Sequence, residues 1–288
     1  MNYAWVLDQT KCIGCHACST ACKSENDVPV GVHRTWVKNV DVGSYPNVRR
    51  HFAVLRCNHC ADPPCVDICP VTAMYQRSDG IVDIDHDRCI GCKACMQACP
   101  YDAIHVDPTD DTAAKCHFCA HRVDNGLLPS CVVVCPVEAI AFGDMGDPRS
   151  RVGKILGSTA VQVRKPEQGT QPKTFYVGAH AATLDPLAAY HDSSYMWADR
   201  KPGNAKDDTE AFSLWALLQP RNGNGKRNAR DRMPPAKVSY DVHHEIPWRT
   251  KVSAYLWTKS ISAGVMFVAA LAVIGLGAAD PTFTWWAP

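Results

Sequence analysis

Apolar residues in the first half of the chain gather in short β-prone runs. Trp5-Val-Leu, Gly80-Ile-Val-Asp-Ile, Ala103-Ile-His-Val and Ala139-Ile-Ala-Phe each read as a strand, and the stretches between them suit loops followed by short helices. From 147 to 249 that pattern dissolves into Pro, Gly, Asn and charge, including Arg221-Asn-Gly-Asn-Gly-Lys-Arg-Asn-Ala-Arg. Such a composition suits either a loop-rich arm ordered by a partner surface or a disordered linker. Residues 260–279 then run without a charge and are rich in Val, Ala, Leu, Ile and Gly. A helix of that length rises ~30 Å, the thickness of a bilayer core, so one C-terminal transmembrane helix is expected; a buried helix of a soluble domain is the alternative.

The flanks of this run give an orientation. Arg249, Lys251 and Lys259 precede it, whereas residues 280–288 carry no cation, so the N-terminal region is expected on the cytoplasmic face. Tyr255 and Trp257 on one side, and Trp285 and Trp286 on the other, suit the two interfaces. Residues 1–10 hold no basic segment leading into an apolar run and no twin arginine, so no export signal is expected. Three regions follow: 1–146, a loop-rich docking arm at 147–249, and a membrane anchor at 250–288 with its helix at about 260–279.

Composition sharpens the reading of the first region. The chain holds 16 cysteines, all between Cys12 and Cys135, while 30 basic against 29 acidic residues give no reason to expect a nucleic-acid partner. Internal repetition is visible. Lys11-Cys-Ile-Gly-Cys-His-Ala-Cys is nearly copied at Arg88-Cys-Ile-Gly-Cys-Lys-Ala-Cys, and Cys65-Val-Asp-Ile-Cys-Pro-Val-Thr-Ala-Met is echoed at Cys131-Val-Val-Val-Cys-Pro-Val-Glu-Ala-Ile.

The first group, Cys12-x2-Cys15-x2-Cys18-x3-Cys22, and the third, Cys89-x2-Cys92-x2-Cys95-x3-Cys99-Pro100, carry the spacing of bacterial ferredoxins. In that run three thiolates on a tight loop take one cubane and the fourth ligates another cluster. The second group, Cys57-x2-Cys60-x4-Cys65-x3-Cys69-Pro70, and the fourth, Cys116-x2-Cys119-x11-Cys131-x3-Cys135-Pro136, lengthen the gap before the third ligand. Four groups of four thiolates supply four 4Fe-4S clusters, with no group short of a ligand. Zinc also binds four cysteines but does not call for the compact run, and disulfides need an oxidising compartment that nothing here indicates. The fold class is therefore expected to be α+β: two duplicated ferredoxin-like two-cluster units, a loop-rich extension and one C-terminal helix. No residue looks like a nucleophile or an acid–base pair, so the chain is not itself expected to be catalytic.

Over residues 12–136 the pattern resembles the iron–sulfur (beta) subunits of membrane-associated molybdopterin oxidoreductases, the dimethyl sulfoxide, polysulfide and formate enzyme type. The resemblance implies a relay of single electrons between a molybdopterin (molybdenum or tungsten) catalytic subunit and a quinone-reactive membrane subunit. It also implies shared ligation. One cluster falls to Cys12, Cys15, Cys18 and Cys135, and another to Cys22, Cys116, Cys119 and Cys131; a third falls to Cys57, Cys60, Cys65 and Cys99, and the last to Cys69, Cys89, Cys92 and Cys95. The stretch from Trp248 to Gly264 is similar to the approach to the first helix of the polysulfide-reductase-type membrane subunit. That implies descent from a fusion, or a helix that anchors the chain in lipid beside such a subunit. Two rivals stay open: the same relay in a membrane-bound nickel–iron hydrogenase, and a zinc-stabilised membrane scaffold without redox function.

Some residues outside the ligand set bear on the chemistry. Lys11, Arg56, Arg88 and Lys115 each precede the first cysteine of a group, where a cation raises the potential of an anionic cluster unless it is a solvated loop charge. His16, His59 and His117 fall inside ligand spacings that cysteine already fills, so they read as hydrogen-bonding or surface residues. His243 and His244 precede the apolar helix, where a quinone or haem contact is one reading and a histidine pair without such a role is the other. The basic residues 221–232 read as a lipid-facing or partner-facing loop.

Overall fold

The computed structural model describes residues 1–44, 46–185, 188–191, 236–242, 244 and 249–277, in two compact units, Met1–His244 and Glu245–Pro288. The first unit is organised around β1 (Tyr3–Asp8), whose residues Ala4, Trp5, Val6 and Leu7 are all buried. A strand buried on both faces needs a neighbour on each edge to satisfy its backbone. One is β8 (Ile140–Asp144), antiparallel with Trp5 opposite Phe142; the other is β10 (Thr174–Val177), parallel with Trp5 opposite Thr174. A short β9 (Val161–Gln162) completes the order β8-β1-β10-β9. Helix α6 (Arg151–Ser158) lays Val152 against Ala4, Val6 and Ala141.

The second sheet is built on a hairpin of β2 (Thr35–Ser44) and β3 (Asn47–Arg56), in register from Thr35 opposite Arg56 to Ser44 opposite Asn47. β12 (Ala236–Tyr240) pairs with β2, and β11 (Tyr190–His191) lies outside it. Two small ladders, β4 (Met74–Gln76) with β5 (Val82–Ile84) and β6 (Ile104–Val106) with β7 (Ala113–Lys115), flank the cysteine groups. The helices after the cysteine loops are short: α1 (Ala17–Glu25), α2 (Pro64–Asp67), α3 (Ala94–Ala98), α4 (Ala120–Val123) and α5 (Ser130–Val133). One more turn of helix, α7 (Ala181–Leu184), follows β10.

The sequence repeat is a backbone repeat as well. Gly14 and Gly91 take φ of 68° and 63°, and the following helices begin at left-handed caps, His16 and Lys93. Thr72 and Glu138, each three residues past the last cysteine of its group, both take φ of 50°.

Two boundaries differ from the sequence reading. The first unit does not end at 146, because the second edge of β1 is filled by a strand from 174–177 and the hairpin's outer edge by residues 236–240. The described residues of the second unit form one helix, α8 (Arg249–Gly277), which holds the expected apolar run up to 277 and begins eleven residues before it. Positions 278 and 279 lie outside the described residues, as do His243, Trp285, Trp286 and the basic stretch 221–232. The described side chains of α8, from 254 to 268, are exposed, and among the described residues no helix is long and apolar enough to cross a membrane.

Candidate metal centres

The cysteines sit on loops held by the strands and by the short helices after them, and they gather in fours. Cys12, Cys15, Cys18 and Cys135 line one recess, closed by Val37 and Val54 of the hairpin and by Ile140 of β8. Cys57, Cys60, Cys65 and Cys99 line a second with Val82, Tyr101 and Ile104. A third is lined by Cys69, Cys89, Cys92 and Cys95 with Met74 and Ile84. Cys22, Cys116, Cys119 and Cys131 are all buried and close enough to act on one another electrostatically. The Asn26 side-chain amide points at two of them, 3.7 Å from Cys22 Sγ and 3.9 Å from Cys119 Sγ.

Backbone amides aim at the sulfurs. The amides of Met74, Ala113 and Ala139 donate to Cys69, Cys89 and Cys135 at 3.5, 3.4 and 3.3 Å, and the amide of His59 donates to Cys57 at 3.5 Å. For Cys69 burial works upward, yet the amides of Met74, Val71, Ala73 and Thr72 outweigh it and hold the thiol below its ordinary value. Most of the others go the opposite way. Burial pushes Cys18, Cys95 and Cys99 up to about 11 and Cys22 and Cys60 to about 12, and raises Cys65 and Cys116 strongly. Neighbouring thiols add to the effect: four converging sulfurs in a low dielectric cannot all be anionic without positive charge among them. Iron would supply that charge, and its binding would release the protons.

Four thiolates are also a zinc donor set, with ligands at about 2.3 Å; among the described residues no three Cys, His, Asp or Glu side chains are close enough to hold a single ion. Four thiols spread around one recess suit a cube with iron at alternate corners. The donor set, all thiols with backbone N–H groups aimed at sulfur, fits four 4Fe-4S clusters.

Of the cations before the groups, two are buried and two are not. Arg56 is 0% exposed and Lys115 2%, whereas Lys11 is 56% exposed in a loose 3.7 Å ion pair with Asp8, and Arg88 is an exposed residue bonded to Thr72 Oγ1 at 2.5 Å. His59 is buried: Val82 N donates to its Nδ1 at 3.1 Å, and its ring packs 3.8 Å from that of Phe118. His117 Nδ1 lies 3.5 Å from Arg34 Nη1, and burial, with Arg34 beside it, pulls its pKa down to about 3. His16 and His244 pack edge-on against Tyr240 and Trp36.

Sequence reasoning missed several residues around the sulfurs. Trp5 sits under the Arg56 guanidinium at 4.3 Å and stacks on Phe118 at 4.9 Å. Tyr101 hydroxyl shares a 2.6 Å hydrogen bond with Thr170 Oγ1, so a residue beyond 146 holds a wall residue of the second recess. Asn26 had a readable signal, because it lies four residues past Cys22 on the same face. Thr170 had none.

These loops, cavities and donor sets define a ferredoxin-type protein with four 4Fe-4S clusters. Residues 48–145 match the 4Fe-4S dicluster domain, and residues 9–31 match the 4Fe-4S binding domain. The chain is 46% identical to the B subunit of tetrathionate reductase from Salmonella typhimurium over 191 residues, 65% of this chain and 76% of the relative. With the iron–sulfur B subunit of a putative dimethyl sulfoxide reductase from Halobacterium salinarum it shares 36% over 281 residues, 86% of this chain and 97% of the relative. With the B polypeptide of polysulfide reductase from Wolinella succinogenes it shares 42% over 179 residues, 61% and 94%. The chain therefore belongs to the family of iron–sulfur B subunits of these reductases. It is an electron-transfer subunit, and catalysis resides in a partner.

Proposed function

We propose that this chain relays single electrons between a molybdopterin catalytic subunit and a quinone-reactive membrane subunit. Four separate thiol quartets within one compact unit are the observation that carries the reading. When bound, each 4Fe-4S cluster supplies a one-electron redox couple. The chain's own residues do the rest: thiols hold the iron, amides aimed at sulfur favour the charged ligand, and apolar walls such as Val37, Val54 and Ile140 exclude water. The ligand sets are Cys12, Cys15, Cys18 and Cys135; Cys22, Cys116, Cys119 and Cys131; Cys57, Cys60, Cys65 and Cys99; and Cys69, Cys89, Cys92 and Cys95. The reductase names of the relatives favour a reductase partner over a hydrogenase.

Helix α8 is the membrane anchor in this reading, with Lys251 and Lys259 on the cytoplasmic side and the cluster-bearing unit facing the cytoplasm. Its support is the uncharged run within the helix and the cations before it.

The test is the metal content of the anaerobically purified complex together with electron paramagnetic resonance of its reduced form. About sixteen irons and sixteen sulfides on this chain, four of each per cubane, with molybdenum or tungsten alongside, are expected. Zinc without iron refutes the relay, and nickel in place of molybdenum or tungsten refutes the partner. Digestion of the cysteine region by protease added outside right-side-out vesicles would refute the cytoplasmic placement.

A further inference from the structure

The two buried cations do not serve the cysteine groups they precede. Arg56 runs directly into Cys57 of the second recess, yet its Nη1 donates to Cys131 Sγ at 3.2 Å, and its charge also acts on Cys18 and Cys116. It therefore lies between the quartets formed by the first and fourth groups. The Trp5 ring covers its flat side, and its Nε and Nη2 are buried with no hydrogen-bond partner among the described residues. Lys115 runs into Cys116, yet its Nζ donates to the carbonyl of Val82, a wall residue of the second recess, and to Cys116 O at 3.1 Å. Its charge acts on Cys65.

We infer that Arg56 and Lys115 are a crossed pair of potential-setting cations, Arg56 acting on the two clusters of the first and fourth groups and Lys115 on the cluster of Cys57, Cys60, Cys65 and Cys99. This rests on the cluster assignments given above. A reduced cluster carries one more negative charge than an oxidised one, so a fixed cation beside it favours reduction. Burial keeps that interaction unscreened, whereas the exposed Lys11 and Arg88 are surrounded by water and salt. A guanidinium taken fully out of water is strongly disfavoured unless anionic groups surround it, and one thiolate leaves most of its five donors without a partner. Cluster sulfur on either side would offer acceptors to the two nitrogens left over. Because one cation is common to two clusters, it moves their potentials in the same direction and keeps them matched for transfer.

The test is a redox titration of the purified complex, followed by paramagnetic resonance, for Arg56→Met and Lys115→Met, each with its iron content. Arg56→Met is expected to lower two of the four midpoint potentials by at least tenfold in the reduction equilibrium, about 59 mV for a one-electron couple. Lys115→Met is expected to lower a different one. Should Arg56→Met fail to assemble, Arg56→Lys retains the charge without the flat fork and is expected to lower the same two potentials by less. Full iron with unmoved potentials, or with the same potentials moved by both substitutions, overturns the crossed pair. Low iron in the unaltered complex would instead overturn the cluster assignment itself.

Discussion

The cysteine loops should tolerate a methyl group at some glycines and not at others, and the structure ranks them. Gly91 lies between Cys89 and Cys92 at φ 63°, and a Cβ there would sit 2.5 Å from the Asp111 carbonyl oxygen, where ordinary contact begins at 3.4 Å. Gly126 is also left-handed, at φ 72°, but a Cβ there meets nothing within 4 Å; Gly157, in α6, is neither left-handed nor crowded. Alanine at 126 therefore costs only the left-handed conformation, about 1–2 kcal/mol. Alanine at 157 gains up to ~1 kcal/mol of helix propensity. Alanine at 91 bears the conformational cost and must also push a backbone carbonyl aside, which the β6–β7 ladder resists and which only opening of the cluster loop relieves. A protein bearing clusters does not unfold in two states, so the observable is the order of guanidinium midpoints for bleaching of the cluster absorbance, read with iron content. The expected order is Gly157→Ala at or above the unaltered chain, then Gly126→Ala, then Gly91→Ala, the last with iron falling from about sixteen toward twelve as one cubane of four is lost. Gly91→Ala with full iron and the midpoint of Gly126→Ala would refute the steric argument.

Two smaller perturbations report on the scaffold. Ser150 caps α6 by accepting from Gly153 N at 2.8 Å and donates to Asp144 O at 2.6 Å, so Ser150→Ala should cost about 1 kcal/mol and lower the thermal midpoint without loss of iron; an unchanged midpoint would mean the cap is dispensable. Arg77 grips Asp124 through both oxygens, at 2.6 and 3.1 Å, and holds its carboxyl below the usual range. A depressed carboxylate stabilises fully above its unfolded value near 3.9 and loses that contribution as pH falls through the folded value. Because the pair is half in solvent, Asp124→Asn should cost under ~1 kcal/mol at neutral pH, read as a small fall in the guanidinium midpoint for cluster bleaching, and less as the pH falls toward the folded value. A deficit that does not shrink as the pH falls would rule out the ion pair as its source.

What the sequence makes legible here is what spacing encodes. The cysteine runs announce cluster loops, and the short apolar segments beside them become β1, β5, β6 and β8. The β2–β3 hairpin escapes that reading although Trp36, Val37, Val40 and Val42 are buried along it and a turn follows Gly43, because attention to cysteine passes over strands that carry none. β10 is harder to see. Four residues, Thr174 to Val177, sit in a background of Pro, Gly and charge, and only the empty edge of a doubly buried β1 calls for them.

The four cations show most directly where position in sequence and position in space part. Each stands one residue before a first cysteine, so the sequence treats them alike. The chain arrives at them differently. Lys11 follows a turn closed by its own amide on Asp8 O, and Arg88 follows a turn in which its amide donates to Asp85 Oδ1; a turn at the surface leaves the side chain in water. Arg56 and Lys115 are instead the last residues of β3 and β7, and a strand that ends in the core sends its final side chain inward. From those ends the long side chains pass beyond the cysteine that follows them and reach the neighbouring quartet. Which cluster a cation serves is thus decided by whether a strand or a turn delivers it, and a spacing pattern that records only the distance to the next cysteine carries no trace of that difference.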